Sequence, residues 1–248
     1  MADNTDKRTG ALHSELKIEL HSHYAIGLWQ GRRAEKEEEG AKGKPAIMGM
    51  PRFLSLASRI NQDSLKNNPW ADAAMLALED KISEASRTMS ALISSLDSDM
   101  QLIPTGVTFT EPGVSTPLDI KVFSNTPLGY RCVYLLIGFD QFSKKVLQAS
   151  HYALISRTKR DQLLREGGRL IRQIYGSVIS YRSVAVSRLD AVENNAVWQQ
   201  AVLELGDLDT DVLLGKRRSA FSPPVNESSV NLLRIRYRSA DNGTANQR

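Results

Sequence analysis

Leu118-Asp119-Ile120-Lys121-Val122-Phe123, followed at once by Ser124-Asn125-Thr126-Pro127, is the stretch on which the fold turns. The first six residues alternate apolar and polar with a period of two, the pattern of a half-buried strand. The next four carry a capping signature with proline at the first helical position. The helix they open runs through the apolar segment Cys132 to Ile137, after which Gly138 and Asp140 predict a break and a fresh N-cap, with a second helix reaching about Ile155. Residues 117–155 therefore read as strand, helix, short turn, helix. That is the order of a ribbon-helix-helix unit, although many folds share it.

The same alternation occurs once earlier, in Leu16-Lys17-Ile18-Glu19-Leu20. The two segments share their apolar positions and, read in the same direction, carry opposite charges at both intervening sites, which would suit cross-strand neighbours. A small antiparallel ribbon is the natural pairing. Its outward residues Lys17, Glu19, Asp119 and Lys121 are the candidates for contacting base edges, because a two-stranded ribbon fits the major groove of DNA.

Around the ribbon the chain reads as helical. Pro51 opens a short helix whose apolar face is Phe53, Leu54, Leu56, Ala57 and Ile60, ended by Asn61 and Asp63. Behind an Asn68 cap and Pro69, the residues Ala71, Met75, Leu78, Ile82, Ala85, Met89, Leu92 and Leu96 recur at alternating spacings of 4 and 3. Such a seam packs lengthwise on another helix, either inside the chain, the preferred reading, or across a homodimer. A helix from Lys159 to about Tyr181 buries Leu163, Leu170, Ile174 and Val178 and tolerates Gly167 and Gly168 at some cost. Ser187 caps a helix through Leu205, Asp207 to Leu214 forms a last short one, and Leu232 to Arg238 alternates as a possible short basic strand. The expected fold class is mainly α with a small antiparallel β ribbon (α+β), a ribbon-helix-helix-like unit embedded in a helical domain. Residues 1–12 are expected to be disordered, 13–222 to form one domain with a mobile loop at about 31–45, and 223–248 to be a tail.

The chain has 248 residues, 41% hydrophobic and 24% charged, enough to bury a sizeable core. Collagen-like, mucin-like and wholly disordered readings are excluded. A single cysteine, Cys132, excludes an intrachain disulfide framework, and its apolar setting points to a buried structural thiol. No apolar run approaches the roughly 18 residues that cross a bilayer, and the N-terminus lacks the apolar core of a secretory signal, so a cytoplasmic protein without membrane association is expected. Charge is unevenly spread: residues 1–124 carry 14 Lys+Arg against 17 Asp+Glu, and residues 125–248 carry 18 against 11. A polyanion would meet the second half. Arg165, Arg169 and Arg172 fall on one helical stripe and, with Lys216, Arg217 and Arg218, are the candidate phosphate contacts.

Signatures of catalysis are missing. There is no G-x-S-x-G elbow, no P-loop, no G-x-G-x-x-G after a strand and no H-E-x-x-H. Ser156-Arg157-Thr158-Lys159 matches S-x-x-K without companion motifs, a match expected by chance. His21 and His23, placed on one side of a strand, would need the distant His13 or His151 to complete a metal site. The expectation is a protein that is not an enzyme and has no metal, no cofactor and no catalytic residue.

Several words of the sequence together resemble a known family. They are Ser14-Glu15-Leu16 through His21-Ser22-His23, Ile26-Gly27-Leu28-Trp29-Gln30-Gly31-Arg32, Asn68-Pro69-Trp70-Ala71-Asp72, Asn125-Thr126-Pro127-Leu128-Gly129-Tyr130 with Val133-Tyr134-Leu135-Leu136, and Gly215-Lys216-Arg217-Arg218-Ser219. Spread from about residue 12 to 224, they are similar to accessory proteins of bacterial integrating conjugative elements, a family related to the AcaB transcriptional regulators of conjugative plasmids. The resemblance implies a mobile-element protein and, through the AcaB branch, a ribbon-helix-helix activator of transfer genes whose partner is double-stranded DNA. The alternative is a non-catalytic scaffold of a transfer or maintenance complex, working through the heptad helix with a second copy or with other element-encoded proteins.

Overall fold

A computed structural model describes residues 15–34, 46–101, 103, 106–110, 112 and 116–245, with side chains through residue 237. The expected disordered N-terminus and most of the expected mobile loop lie outside the described residues. At the base of that loop, Arg32 and Ile47 form an antiparallel bridge.

Two strands, β1 (Leu16–Leu20) and β2 (Leu118–Val122), pair antiparallel within the one chain. Leu16, Ile18 and Leu20 stand across from Val122, Ile120 and Leu118, and this apolar face sits against the helical core. Burial sets the register, because a slip of one residue would turn every apolar side chain outward. Reversal of one strand corrects the charge pairing expected above: Lys17 faces Lys121, and Glu19 faces Asp119. Like charges stand across both rungs.

The body is built by α1 (His23–Gln30), α2 (Met50–Leu65), α3 (Pro69–Met100), α4 (Pro127–His151) and α5 (Arg157–Ile179). Helix α3 opens as expected, with Asn68 Oδ1 accepting from the Trp70 and Ala71 backbone N–H groups at 2.9 and 3.2 Å. Its heptad residues are buried or half-buried in one core, and α3 packs on α2, α4 and α5. The seam is therefore satisfied inside the chain. Helix α2 continues a turn beyond the expected stop, because Asp63 is buried and accepts from Tyr181 Oη at 2.9 Å and Ser183 Oγ at 2.6 Å.

The two helices expected between residues 127 and 155 are one. Gly138 lies inside α4, and Asp140 is no cap of its own helix; it is buried and reaches across to the start of α1. The strand-helix-helix order therefore extends over β2, α4 and α5. In α5, Gly167 has a packing reason: a Cβ there would meet the Phe139 ring at 2.7 Å.

The C-terminal quarter winds through α6 (Arg188–Glu193), α7 (Ala196–Leu205), α8 (Thr210–Leu213) and α9 (Glu227–Ala245). In place of the one helix expected from Ser187 to Leu205 there are two. Asn194, in the left-handed conformation at φ 53°, ends α6, and Asn195 recaps α7 by accepting from the Trp198 N–H at 3.0 Å. The expected strand at 232–238 is part of α9: Val230 and Leu233, three apart, are buried, while Leu232 and Ile235 are exposed. Seven residues of period two are too few to exclude a helix whose one face packs on α6.

Candidate nucleic-acid interface

Alternation along β1 and β2 sends Lys17, Glu19, Asp119 and Lys121 to the outer face of the ribbon, and all four are exposed. The side chains of Lys17 and Lys121 are 70% and 71% exposed, so no described residue covers the cationic rung. Among the described residues Glu15 is their counter-charge, 3.9 Å from Lys17 Nζ and 3.2 Å from Lys121 Nζ. Exposed pairs of this kind are worth about 0–1 kcal/mol, and like charges directly opposite cost a similar amount. The rungs lie two residues apart, about 7 Å along the strands. Chemically they are unlike: lysines donate, as to guanine O6 and N7, while the carboxylates of Glu19 and Asp119 accept, as from the amino group of cytosine.

Below the ribbon, β1 turns directly into α1. Asp140 Oδ2 accepts from the His21 backbone N–H at 3.0 Å, and Oδ1 from that of Ser22 at 2.7 Å. His21 Nδ1 lies 3.2 Å from Oδ2, and Ser22 Oγ caps α1 through the Ala25 N–H at 3.2 Å. His21 is thus a ribbon anchor, His23 begins a helix, and the expected placement of the two on one side of a strand does not occur. Asp140, 1% exposed, presents no repulsive charge to the surface. No group of three or more His, Cys, Asp or Glu among the described residues is placed to hold a metal. Cys132 is buried, and desolvation pushes its thiol far above the usual range, as expected of a structural thiol. Ser156 of the S-x-x-K match caps α5, accepting from the Lys159 backbone N–H at 3.2 Å.

The phosphate candidates divide. Arg165, Arg169 and Arg172 are exposed on α5, where Arg165 Nε donates to the Asp161 carbonyl at 3.1 Å and Arg169 lines a groove shared with Lys81, Glu84 and Thr88 of α3. Lys216 and Arg217 are exposed but paired with Asp211 at 3.2 Å and Asp209 at 3.1 Å. Arg218 is different. Its Nε and Nη2 donate to the two oxygens of Asp72 at 2.9 Å each, and Nη2 also donates to the Pro223 carbonyl at 2.7 Å. Asp72 is fully buried and also holds Arg188 Nη2 at 2.7 Å, with Ser64 Oγ donating to it at 2.5 Å. Arg218 is engaged in the core and leaves the set of phosphate contacts. None of these six residues lines the groove that opens beside the ribbon.

Sequence reading missed Asp72, Arg188 and their triad with Arg218, and also a basic stripe on α2. Arg52, Ser55, Arg59 and Gln62, with Lys66 just past the helix end, recur at spacings of 3, 4, 3 and 4, and all are exposed. That spacing is visible in the sequence, where the inward apolar face is the stronger signal.

The architecture is that of an α+β protein, a helical body carrying a two-stranded antiparallel ribbon, with no helix among the described residues long and apolar enough to cross a membrane. The chain belongs to the AcaB family of transcriptional regulators, whose family model matches residues 8–226. Among solved structures, the selenomethionine-containing AcaB from uropathogenic E. coli is similar in fold, with a TM-score of 0.51 and 12% sequence identity over 89% of this chain and 96% of that one. No curated protein matches the chain.

Proposed function

We propose that the chain is a cytoplasmic DNA-binding regulator of an integrating conjugative element, controlling the genes of conjugative transfer. Membership of a transcriptional-regulator family supports the regulatory role. The observation that carries DNA as the partner is the cationic rung, Lys17 facing Lys121 on the exposed side of a ribbon that rests on the core by its other side. Two lysines held opposite each other repel across the rung, share the exposed Glu15 between them, and are placed to meet a polyanion. In this reading Lys17, Glu19, Asp119 and Lys121 read base edges, the ribbon closes within one chain, and β2, α4 and α5 act as a ribbon-helix-helix-like unit within residues 13–222. Arg165, Arg169, Arg172, Lys216 and Arg217 supply salt-dependent affinity. The scaffold alternative loses its motivating observation, since the heptad seam is buried against α2, α4 and α5.

The test is retention of promoter fragments from the protein's own element against random DNA, from about 50 to about 300 mM salt. Selective binding that weakens as salt rises is the expected result. No binding at low salt, or retention that does not change with salt, would overturn the reading.

A further inference from the structure

A groove of about 720 Å³ opens beside the ribbon, between the end of β2 with its continuation into Ser124 and Asn125 on one side and the outward face of α2 on the other. Arg59 and Lys121 bring cations to it, Ser55 and Gln62 bring neutral hydrogen-bonding groups, and among the described residues no Asp or Glu lines it. Phe123, 75% exposed at the end of β2, forms an apolar lip. The stripe on α2 extends the cationic surface by one heptad to Arg52. The helix's one carboxylate, Asp63, is buried and bound by Tyr181 and Ser183, with Lys66 Nζ at 4.0 Å, and forms no ion pair with Arg52 or Arg59. Neither arginine forms a salt bridge within 4.0 Å among the described residues, in contrast to Lys216, Arg217 and Arg218. Lys121 belongs to both surfaces: it stands on the ribbon's outer face and at the groove's edge.

We propose that this groove holds the sugar–phosphate backbone of DNA flanking the ribbon's site, with Arg59 and Arg52 as phosphate contacts and Phe123 against the sugars. The inference rests on the DNA-binding reading above and adds to it a positioning surface in the acidic N-terminal half, where net charge gave no reason to look. A ribbon reading base edges needs its register on the duplex fixed by backbone contacts close at hand, and cations one helical turn pair apart on α2 can follow a strand of phosphates. Among the described residues, an anion meeting this surface encounters cations and neutral donors and no carboxylate in the groove.

The experiment compares wild type with an Arg52→Ala/Arg59→Ala variant on the promoter fragment and on random DNA across the same salt series. Each lost phosphate contact lowers the slope of log affinity against log salt by about 0.9, so the double variant is expected to lose nearly two units on both DNAs while the ratio between them is kept. Arg52→Lys/Arg59→Lys keeps the charge and is expected to restore the slope. Arg87→Ala, an exposed arginine on α3, serves as the control for charge loss elsewhere and is expected to leave it unchanged. Both target arginines are exposed, so the melting temperature reports any loss of fold separately. If wild type binds selectively and the double variant keeps the full slope, the groove assignment is wrong and the ribbon reading stands. If wild type binds no DNA at low salt, both fall.

Discussion

Arg218 and Asp72 lie 146 residues apart in sequence and meet through two parallel N–H···O contacts of 2.9 Å each. With Arg188 on the same carboxylate, the pair ties the C-terminal quarter to the start of α3. Burial pushes the Arg188 guanidinium down and the Asp72 charge opposes that shift, so each group depends on the other for its place in the core. Removing one partner of a buried pair leaves an uncompensated charge, at about 3–5 kcal/mol. Asp72→Ala is therefore expected to lower the melting temperature by at least about 6 °C, taking about 2 °C per kcal/mol for a chain of this size. Arg218→Ala should also lose stability and leave the salt dependence of DNA binding as it was. A stable Asp72→Ala protein would show that the triad contributes little.

A second tie joins the ribbon to the body. Asp140→Ala removes a buried acceptor from the His21 and Ser22 backbone N–H groups at the start of α1. Bonds to a charged acceptor contribute about 1.5–3 kcal/mol each, and the stranded donors keep their desolvation cost. Thermal melting should register a loss of at least about 2–3 kcal/mol, and amide exchange should quicken first at residues 21–25. Unchanged exchange there would mean that α1 is capped adequately by Ser22 alone.

The same substitution is expected to act with opposite sign at two glycines of α5. A methyl group on Gly176 would meet nothing within 4 Å, so Gly176→Ala should stabilise by about 0.5–1 kcal/mol through helix propensity. At Gly167 the Phe139 ring would be met at 2.7 and 2.8 Å, and Gly167→Ala should destabilise by about 1–3 kcal/mol through overpacking. Denaturant midpoints of the two variants decide the matter, and a stabilised Gly167→Ala would mean that the α4–α5 contact is looser than described.

Cys132 gives a probe of the core. Its thiol is fully buried and held protonated by desolvation, and the thiolate is the reactive form. Alkylation of the native protein at mildly alkaline pH should be slow and should become fast on adding denaturant. Rapid labelling without denaturant would contradict the burial of α4's apolar face.

Much of this is legible in the sequence because it is local or periodic. The seam from Ala71 to Leu96, the Asn68 cap and the alternation of both strands need only a few residues to state their structure. What escapes the sequence depends on partners far away. Asp140 looks like a helix start until His21 and Ser22 are brought to it, and Asp63 like a helix end until Tyr181 and Ser183 are. Register escapes for a simpler reason: two strands compared in one direction pair unlike charges, whereas antiparallel pairing places Lys17 on Lys121. Arg218 sits among three cations of the same word, and only the fold separates the one that meets Asp72 from the two that stay at the surface.

The ribbon's part in recognition is tested most directly by Lys17→Ala/Lys121→Ala, measured as the ratio of affinities for promoter and random DNA. Removing two opposed like charges should not unfold the ribbon. Since a good base contact discriminates by about 1–3 kcal/mol, the ratio is expected to fall by at least about tenfold while salt-dependent binding to random DNA persists. A ratio equal to that of wild type would contradict the claim that the outer face of the ribbon reads DNA sequence.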